Sequence, residues 1–305
     1  DCKLSKIILN DESIKVTWCD GKESDFHYIW LRDNCRCDKC GCPTDGRRTF
    51  RLQKISLGIR TSSVAITNDG ELSIIWEDGH TTLYTAIWLK EYAYDRQSRL
   101  AKCFSPALWN NEFRESPPSV TFNMVNTDPV AFLDMLHVIR DHGFCLLRDI
   151  PKEEGRLEPF ARKIGPIQES NFGLVQDLTV DFSKKDVAHR ANALPPHTDE
   201  PYRASPPGIL LFHCIKTDQF GTGSSTFVDG FEAAEILRAE DPDGFFAISR
   251  NRHPFRRHFL DDVDLSAEFP IVSLDEFNNI TGIRINHRVA APLAIPHEAI
   301  INYYR

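Results

Sequence analysis

The sequence lacks three features that would assign it to large classes of protein. Its apolar runs stay well short of the roughly 18–20 residues that cross a bilayer, so we expect no membrane partner. Basic residues are not in excess, and the net charge of −8 argues against nonspecific nucleic-acid binding. The start shows neither a secretory or transit peptide nor an initiator methionine, so we expect a cytoplasmic protein whose true N-terminus lies further upstream.

The length and composition are those of an ordinary globular protein with a well-buried core. The chain has 305 residues, of which 41% are hydrophobic and 26% charged, which suits one large domain and one small one. Residues 93–120 carry the proline-containing stretch SPALWNNEFRESPPS and no strong periodicity. We therefore expect a small β domain over residues 1–100 and a larger domain over residues 101–305.

The first domain contains a weak internal repeat. VTWCDGKESDFHYIWLRDN (16–34) resembles IIWEDGHTTLYTAIWLKEY (74–92), and each copy is typical of a strand, an Asp-Gly turn and a second strand. Four residues recur at an offset of 58: Trp18, Asp20, Gly21 and Trp30 match Trp76, Asp78, Gly79 and Trp88. Asp-Gly hairpins also recur by chance, but the identical Trp-to-Trp spacing favours a duplicated hairpin unit.

Cysteines are numerous and unevenly placed. Nine are present, and four of them fall at positions 35, 37, 40 and 42, which fits a reducing cytosol and a metal site better than a disulfide framework. The loop can supply Cys35, Cys37 and Cys40 to a tetrahedral zinc ion, with Cys42 or a distant histidine as the fourth ligand. We favour His80, which follows the second Asp-Gly turn. The alternative is four oxidation-prone surface thiols.

The second domain begins with helical patterns and continues with strand patterns. DPVAFLDMLHVIRDHG predicts a helix that ends before Gly143, FCLLRDI a buried strand, and LEPFARKIG another helix. After His197 the pattern becomes β-rich, in GILLFHCIK, SSTFVDGF, FPIVSL and ITGIRINH, with one helix from about Gly230 to Ala239. Short strands with turn signals between them indicate a sandwich or barrel.

The stretch PPHTDEPYR places an imidazole and a carboxylate two residues apart. On an extended strand His197 and Asp199 share one face. They can then form two corners of a 2-His-1-carboxylate triad for non-haem Fe(II), with three positions left for cosubstrate, substrate or O2. A surface loop with a turn aspartate is the simpler interpretation of this short motif alone.

Several motifs together resemble one family. PPHTDEPYR, PPGILLFHCIK, GTGSSTFVDGF and GIRINHRVAAPL, with WLRDNCRCDKC and WEDGH near the start, are similar to the gamma-butyrobetaine dioxygenase family of Fe(II)/2-oxoglutarate oxygenases. The resemblance implies a mainly β fold with flanking helices, in which a double-stranded β-helix (jelly-roll) catalytic core follows a small N-terminal zinc domain. It implies iron at His197 and Asp199, zinc at Cys35, Cys37, Cys40 and His80, the cosubstrates 2-oxoglutarate and O2, ascorbate as reductant, and a homodimer.

The resemblance leaves the third iron ligand unassigned. In the family this histidine, and the arginine that binds 2-oxoglutarate, lie in the C-terminal region, and we expect both beyond residue 305. None of the later histidines stands in a matching motif: His213, His253, His258, His287 and His297. Phe212 is expected to contact 2-oxoglutarate.

The family holds a trimethylammonium group in an aromatic cage, and this chain departs from that cage. A quaternary ammonium has no N–H to donate, so aromatic faces and nearby carboxylates suit it best. By position Phe172 and His189 replace tyrosines, Gln176 replaces an aromatic residue and Asp186 replaces an asparagine. Asp186 and Glu200 are candidates for charge attraction, and Tyr202 for a further ring; solvated acids and ordinary packing are the alternatives.

The other end of the substrate is expected to meet Asn286, His287 and Arg288. Asn286 stands at the family's position, His287 replaces a second asparagine, and the guanidinium of Arg288 suits carboxylates and tetrahedral oxyanions. Arg32 is a further candidate, against the alternative of an interdomain salt bridge. Gamma-butyrobetaine and 2-(trimethylammonio)ethylphosphonate are the competing substrates, and the altered cage with His287 and Arg288 favours the phosphonate, hydroxylated beside phosphorus.

Three classes of function follow from these residues. An Fe(II)/2-oxoglutarate hydroxylase is the first. A non-catalytic binding protein with a relic iron site and a working zinc module is the second, and a metal-dependent hydrolase on a similar barrel is the third. A histidine and an arginine in the C-terminal continuation would favour the first over the second.

Overall fold

The computed structural model describes residues 3–41, 47–48, 51–178, 193–217, 224–259 and 263–305. The chain divides into two compact units, Asp1–Cys103 and Phe104–Arg305, close to the predicted boundary at residue 100. Among the described residues, no helix combines the length and the apolar character needed to cross a membrane.

The first unit consists of two successive three-stranded antiparallel sheets, each followed by a short helix. In the first copy β1 (Leu4–Leu9), β2 (Ser13–Trp18) and β3 (Glu23–His27) lead into α1 (Tyr28–Asp33). In the second copy β4 (Thr61–Ile66), β5 (Leu72–Trp76) and β6 (Thr81–Tyr84) lead into α2 (Ala86–Tyr92), and α3 (Arg96–Leu100) ends the unit. The predicted repeat of strand, Asp-Gly turn and strand is confirmed as β2–β3 and β5–β6.

Equivalent glycines shape the two Asp-Gly turns. Gly21 has φ 81° and Gly79 has φ 79°, values in the left-handed region that a glycine adopts without strain. The backbone N–H of each glycine donates to the carbonyl of the tryptophan three residues earlier, Trp18 or Trp76. Both turns therefore reverse the chain in the same way, and the second one presents His80 directly after Gly79.

The two copies share one hydrophobic core. Trp18 is 3% exposed and Trp76 1% exposed, and both belong to a single buried cluster with residues from strands of each copy. Trp18 Nε1 donates to the Ala86 carbonyl of the second copy at 3.4 Å. Burying aromatic side chains of this size contributes about 1.5–3 kcal/mol each, so the core fixes one copy against the other.

The second unit begins with a helical layer. A parallel pair, β7 (Ser119–Thr121) and β8 (Leu146–Arg148), accompanies α4 (Phe122–Thr127), α5 (Pro129–His142) and α6 (Leu157–Ile164). Asp128 caps α5, because its carboxylate accepts the Val130 N–H and Pro129 takes the first turn, and Gly143 ends it at φ 80°. The predictions of α5 and α6 are confirmed, and the strand predicted over 144–150 shortens to β8.

The remainder of the second unit alternates helices with two-stranded sheets. α7 (Gly230–Glu240) and α8 (Pro242–Arg250) precede an antiparallel pair of β9 (His253–His258) and β10 (Asp264–Phe269). A second antiparallel pair, β11 (Val272–Leu274) and β12 (Ile280–Ile283), follows, and α9 (Ile300–Tyr304) ends the chain. Helix α7 matches the prediction, and α8 packs on it and on β11.

Two predicted strands are wrong among the described residues. Residues 206–217 and 224–229 adopt no strand, although exposure alternates along residues 211–216 as it does in a strand. Alternation describes only the side chains, whereas a strand also needs a neighbour for its N–H and C=O groups. No described segment provides that neighbour. In the described part of this unit, the strands form three separate two-stranded sheets.

Candidate metal centres

His197 and Asp199 lie together at the surface of the second unit. His197 Nε2 is 3.2 Å from Asp199 Oδ1, with side chains 26% and 40% exposed. Two ligand bonds of about 2.1 Å at a right angle would put the ligand atoms about 3.0 Å apart. His197 Nδ1 lies 2.8 Å from the Pro195 carbonyl. That carbonyl can only accept, so it holds the proton on Nδ1 and leaves the Nε2 lone pair for a metal.

Thr198, between the two candidate ligands, fastens this stretch to the chain just after β12. Its backbone N–H donates to the Ile285 carbonyl at 2.7 Å, and its Oγ1 accepts the Ile285 N–H at 3.0 Å. Asn286 Nδ2 approaches the Thr198 carbonyl at 3.4 Å. The docking of Thr198 on residues 285–286 anchors the backbone between His197 and Asp199, whose side chains meet at 3.2 Å. No sequence signal indicated this role of Thr198.

The chain turns sharply after Asp199, and Glu200 is part of the turn. Glu200 has φ 49°, a left-handed value that is uncommon outside glycine. Its carboxylate accepts from Arg203 Nε at 2.6 Å and from Tyr202 Oη at 3.2 Å. Arg284 Nη1 donates to the Arg203 carbonyl at 2.9 Å. Glu200 is thus committed to the turn, and this placement argues against its predicted role as an acid that attracts the substrate.

Replacing Thr198 by valine is expected to weaken Fe(II) binding about 10- to 100-fold, the usual cost of losing a group that orients metal ligands. Valine keeps the shape but leaves the Ile285 N–H without its acceptor. Anaerobic Fe(II) titration measures the effect, and Thr198→Ser, which keeps the hydroxyl, is the matched control. Equal affinity in the valine and serine variants would contradict the assignment.

No third iron ligand completes this pair within the described parts of the chain. The one cluster of three or more metal-ligating side chains found there lies in the first unit. His253 is buried, with Nδ1 2.5 Å from Tyr303 Oη, and stacks on that ring. Burial and then the nearby His287 lower the pKa of His253. Its imidazole therefore packs against α9 as a neutral group.

Two predicted cage residues lie in an aromatic cluster of the second unit. Tyr202 is 3% exposed and packs edge-on against Phe259, as Phe172 does at a centroid distance of 5.8 Å. The Arg257 guanidinium lies over the rings of Phe172 and Phe259, at 5.0 and 4.8 Å. Burial and then the Glu200 charge raise the pKa of Tyr202 to about 12. Tyr202 therefore acts in packing, while Phe172 offers a face that already accepts a cation.

The remaining predicted substrate residues are spread along the second unit. Asn286 caps a short turn by accepting the Arg288 N–H at 3.2 Å, beside the Thr198 carbonyl. His287 and Arg288 are exposed next to it. Phe212, predicted to contact 2-oxoglutarate, is 67% exposed. Asp186 and His189 lie outside the described residues.

The second cluster joins the cysteine loop of the first unit to the second Asp-Gly turn. Cys35, Cys37 and Cys40 follow α1, and their sulfurs lie 3.2, 3.4 and 3.5 Å from His80 Nε2. All four ligand atoms fall within 4.8 Å of one another. Tetrahedral zinc, with bonds of about 2.3 Å to sulfur and 2.0 Å to nitrogen, requires S···N edges of about 3.5 Å. The donor set therefore fits zinc. Cys42, the alternative fourth ligand, lies outside the described residues.

Burial sets the electrostatics of this cluster. It raises the pKa of the Cys35 thiol to about 11, because a thiolate in apolar surroundings is costly without a cation beside it. Burial, and then the charge of Arg32, lower the pKa of His80. A neutral imidazole and buried sulfurs that ionise only beside a cation are what a structural zinc ion requires.

Arg32 lies inside this first unit rather than in an exposed position. Its side chain is 7% exposed and its Nη2 is 3.0 Å from Asp78 Oδ2, and its Nη1 is 3.6 Å from Cys40 Sγ. This placement argues against the predicted role in substrate binding and identifies the salt bridge as one within the unit. Sequence reasoning missed Asp78 and Thr82 as neighbours of the cluster, although the repeat marks Asp78 as the equivalent of Asp20.

Comparisons with known families cover both units. A model of the taurine catabolism dioxygenase TauD, TfdA family matches residues 107–301. A model described as gamma-butyrobetaine hydroxylase-like, N-terminal, matches residues 6–90. The two matches fall in the second and first units, and so include both candidate metal centres.

Curated relatives match over nearly the whole chain. The gamma-butyrobetaine dioxygenase of Pseudomonas sp. (strain AK-1) is 35% identical over 296 residues, which cover 95% of this chain and 76% of the relative. The mitochondrial trimethyllysine dioxygenases of Bos taurus and Homo sapiens are 29% and 30% identical, with 92% of this chain and 67% of each relative covered.

Proposed function

Since this chain belongs to the gamma-butyrobetaine dioxygenase family of Fe(II)/2-oxoglutarate-dependent dioxygenases, we propose that it hydroxylates a C–H bond of a small trimethylammonium zwitterion. The observation that carries the proposal is the pair of His197 Nε2 and Asp199 Oδ1, 3.2 Å apart. Family membership also implies a jelly-roll oxygenase fold.

His197 and Asp199 are the proposed iron ligands, and the third lies outside the described residues. Bound iron, with 2-oxoglutarate and O2, supplies the oxidising power for attack on an unactivated C–H bond. The protein positions the substrate and excludes water from the site. The Pro195 carbonyl selects the His197 tautomer, and Thr198 anchors the backbone between the two ligands.

Phe172 is the proposed aromatic wall for the cationic end. The support is its position, which matches that of a tyrosine in the family's aromatic cage. The Arg257 guanidinium covers one face of the ring at 5.0 Å from its centre, so a quaternary ammonium would bind the opposite face. Asp186 and His189 are proposed to complete the site, and Asp186 would supply the negative charge.

Asn286, His287 and Arg288 are the proposed groups for the anionic end. Asn286 lies directly beside Thr198 through its Nδ2 contact at 3.4 Å, so this turn adjoins the iron ligands. Arg288 is exposed and can offer two parallel N–H groups to an oxyanion.

Gamma-butyrobetaine is the first substrate to test, because the relative at 35% identity is named for it. The second candidate is 2-(trimethylammonio)ethylphosphonate. It is favoured by the adjacent exposed His287 and Arg288, which suit the second negative charge of a phosphonate. None of the three relatives described above is named for a phosphonate.

Succinate formation by the full-length protein, with Fe(II), ascorbate, 2-oxoglutarate and O2, tests the proposal. We expect strong stimulation by gamma-butyrobetaine or by the phosphonate, and a raised KM in Arg288→Gln. Arg250→Gln, on the exposed side of α8, is the matched control. Stimulation by neither compound, nor by other trimethylammonium zwitterions, would overturn the proposed substrate class and favour a non-catalytic protein.

The remaining proposals concern the whole protein. We propose structural zinc at Cys35, Cys37, Cys40 and His80, ascorbate as reductant, a homodimer and a cytoplasmic location. Metal analysis tests the zinc, and light scattering tests the dimer against the chain mass of 34.8 kDa.

A further inference from the structure

Arg32, in the last turn of α1, places a buried positive charge against the cysteine–histidine cluster. Its Nη1 is 3.6 Å from Cys40 Sγ and its Nε is 3.0 Å from Asp78 Oδ2. A buried charge is costly unless it is paired, and the guanidinium reaches one partner on each side. Asp78 Oδ1 also accepts the backbone N–H of His80 at 2.9 Å. One carboxylate therefore orients both Arg32 and the histidine ligand.

The charge of the loaded site explains why a cation belongs there. Three thiolates outweigh the two positive charges of zinc by one negative charge, and a neutral imidazole adds none. In a poorly solvated site this excess charge resides on the sulfurs, where a guanidinium within hydrogen-bond reach stabilises it. Cys40 is 5% exposed, so water cannot substitute for Arg32.

Thr82 hydrogen-bonds the other buried sulfur, Cys35 Sγ. Its Oγ1 donates to Cys35 Sγ at 3.3 Å and accepts from Trp76 Nε1 at 2.9 Å. A hydroxyl has one proton, and because indole Nε1 can only donate, the Thr82 proton is directed to Cys35. Thr82 and Cys35 are 2% and 6% exposed, and this contact too is shielded from water.

Cys37 differs from the other two cysteines because it is only half-buried. We propose that Arg32 and Thr82 are positioning residues that hydrogen-bond the thiolates of Cys40 and Cys35 in the zinc-loaded site. Cys37, whose sulfur accepts backbone N–H groups of Lys39 and Cys40, is more accessible than the other two and is therefore the ligand that reacts first with electrophiles. A donated hydrogen bond withdraws electron density from sulfur and weakens it as a nucleophile. The inference rests on the zinc site proposed above but not on any catalytic activity.

Site-resolved alkylation of the zinc-loaded full chain tests the proposal. Iodoacetamide forms an S–C bond with loss of iodide, mass spectrometry identifies the cysteine modified, and a chromogenic chelator reports zinc release. We expect Cys37 to react first. In Arg32→Gln we expect the alkylation rate of Cys40 to rise at least tenfold, with little change at Cys35. In Thr82→Val we expect the alkylation rate of Cys35 to rise, with little change at Cys40.

Conservative variants separate this role from general loss of structure. Arg32→Lys and Thr82→Ser keep the charge and the hydroxyl, and are expected to restore most of the protection. Arg48→Gln is the matched control, because Arg48 pairs with Asp33, at 2.8 Å, rather than with a cysteine of the cluster. Equal acceleration of all three cysteines, or unchanged rates in both Arg32→Gln and Thr82→Val, would overturn the proposal. Absence of zinc from the purified protein would instead refute the metal assignment.

Discussion

Replacing His197 by alanine is expected to abolish 2-oxoglutarate turnover. The loss should be well over the 10- to 100-fold decrease that is typical when a group that only orients metal ligands is removed. The imidazole is prepared for ligation, since the Pro195 carbonyl at 2.8 Å keeps the proton on Nδ1. Alanine removes the ligand and leaves Asp199 as the sole member of the pair. Anaerobic Fe(II) titration and succinate formation measure binding and turnover separately.

His137→Ala is the matched control for this experiment. His137 is exposed on α5 and far in sequence from the candidate ligands, so the change removes an imidazole without touching them. Wild-type turnover is expected. Asp199→Asn adds a test of charge, because an amide keeps the shape of the carboxylate but not its negative charge. If His197→Ala retained iron binding and turnover, the assignment of this pair would be wrong.

Loss of zinc is expected to destabilise the first unit severely. At a free zinc concentration of about 100 times Kd, binding adds about 2.7 kcal/mol to the free energy of unfolding, and tighter binding adds more. For a unit of this size, each 1 kcal/mol of unfolding free energy corresponds to about 4–8 °C in Tm. Cys40→Ser should therefore lower the Tm of this unit by more than 10 °C. Trp76 Nε1 contacts Thr82, which contacts Cys35, so tryptophan fluorescence should follow this transition.

Cys19→Ser is the appropriate control, because Cys19 is an exposed free cysteine of the same unit. It should bind zinc and melt as the wild type does. Chelation of the wild type should reproduce the Cys40→Ser melting curve, and added zinc should reverse it. A Cys40→Ser protein with full zinc content and an unchanged Tm would show that the cluster is not a zinc site.

The first unit could be predicted largely from local sequence because its signals are local. Gly21 and Gly79 fix turns that only a few residue types tolerate, and the equal spacing of the tryptophans gave the repeat. The proximity of His80 to the cysteine loop followed once the repeat was recognised, since paired hairpins bring their ends together. The pairing of Arg32 with Asp78 could not be predicted, because a salt bridge between residues 46 positions apart leaves no periodic trace.

The second unit was predicted less well because its strands depend on distant partners. Residues 211–216 alternate in exposure but have no described neighbour to pair with. The start of helix α8 could have been predicted from Asp241-Pro242, a typical N-terminal helix signal. The Asp241 carboxylate caps this helix by accepting the Gly244 N–H at 3.1 Å. The partners of Glu200 could not be predicted, because the sequence shows a carboxylate but not the Arg203 and Tyr202 side chains that bind it.

The repeat of the first unit also bears on the order in which it folds. Each three-stranded sheet is built from hairpins between consecutive strands, and such local contacts form quickly. The fourth ligand of the proposed zinc site comes from the other copy, since the cysteines follow α1 and His80 follows β5. Zinc capture at this site would therefore require the two copies to have docked, and the cell's zinc supply would then influence the yield of the docked unit.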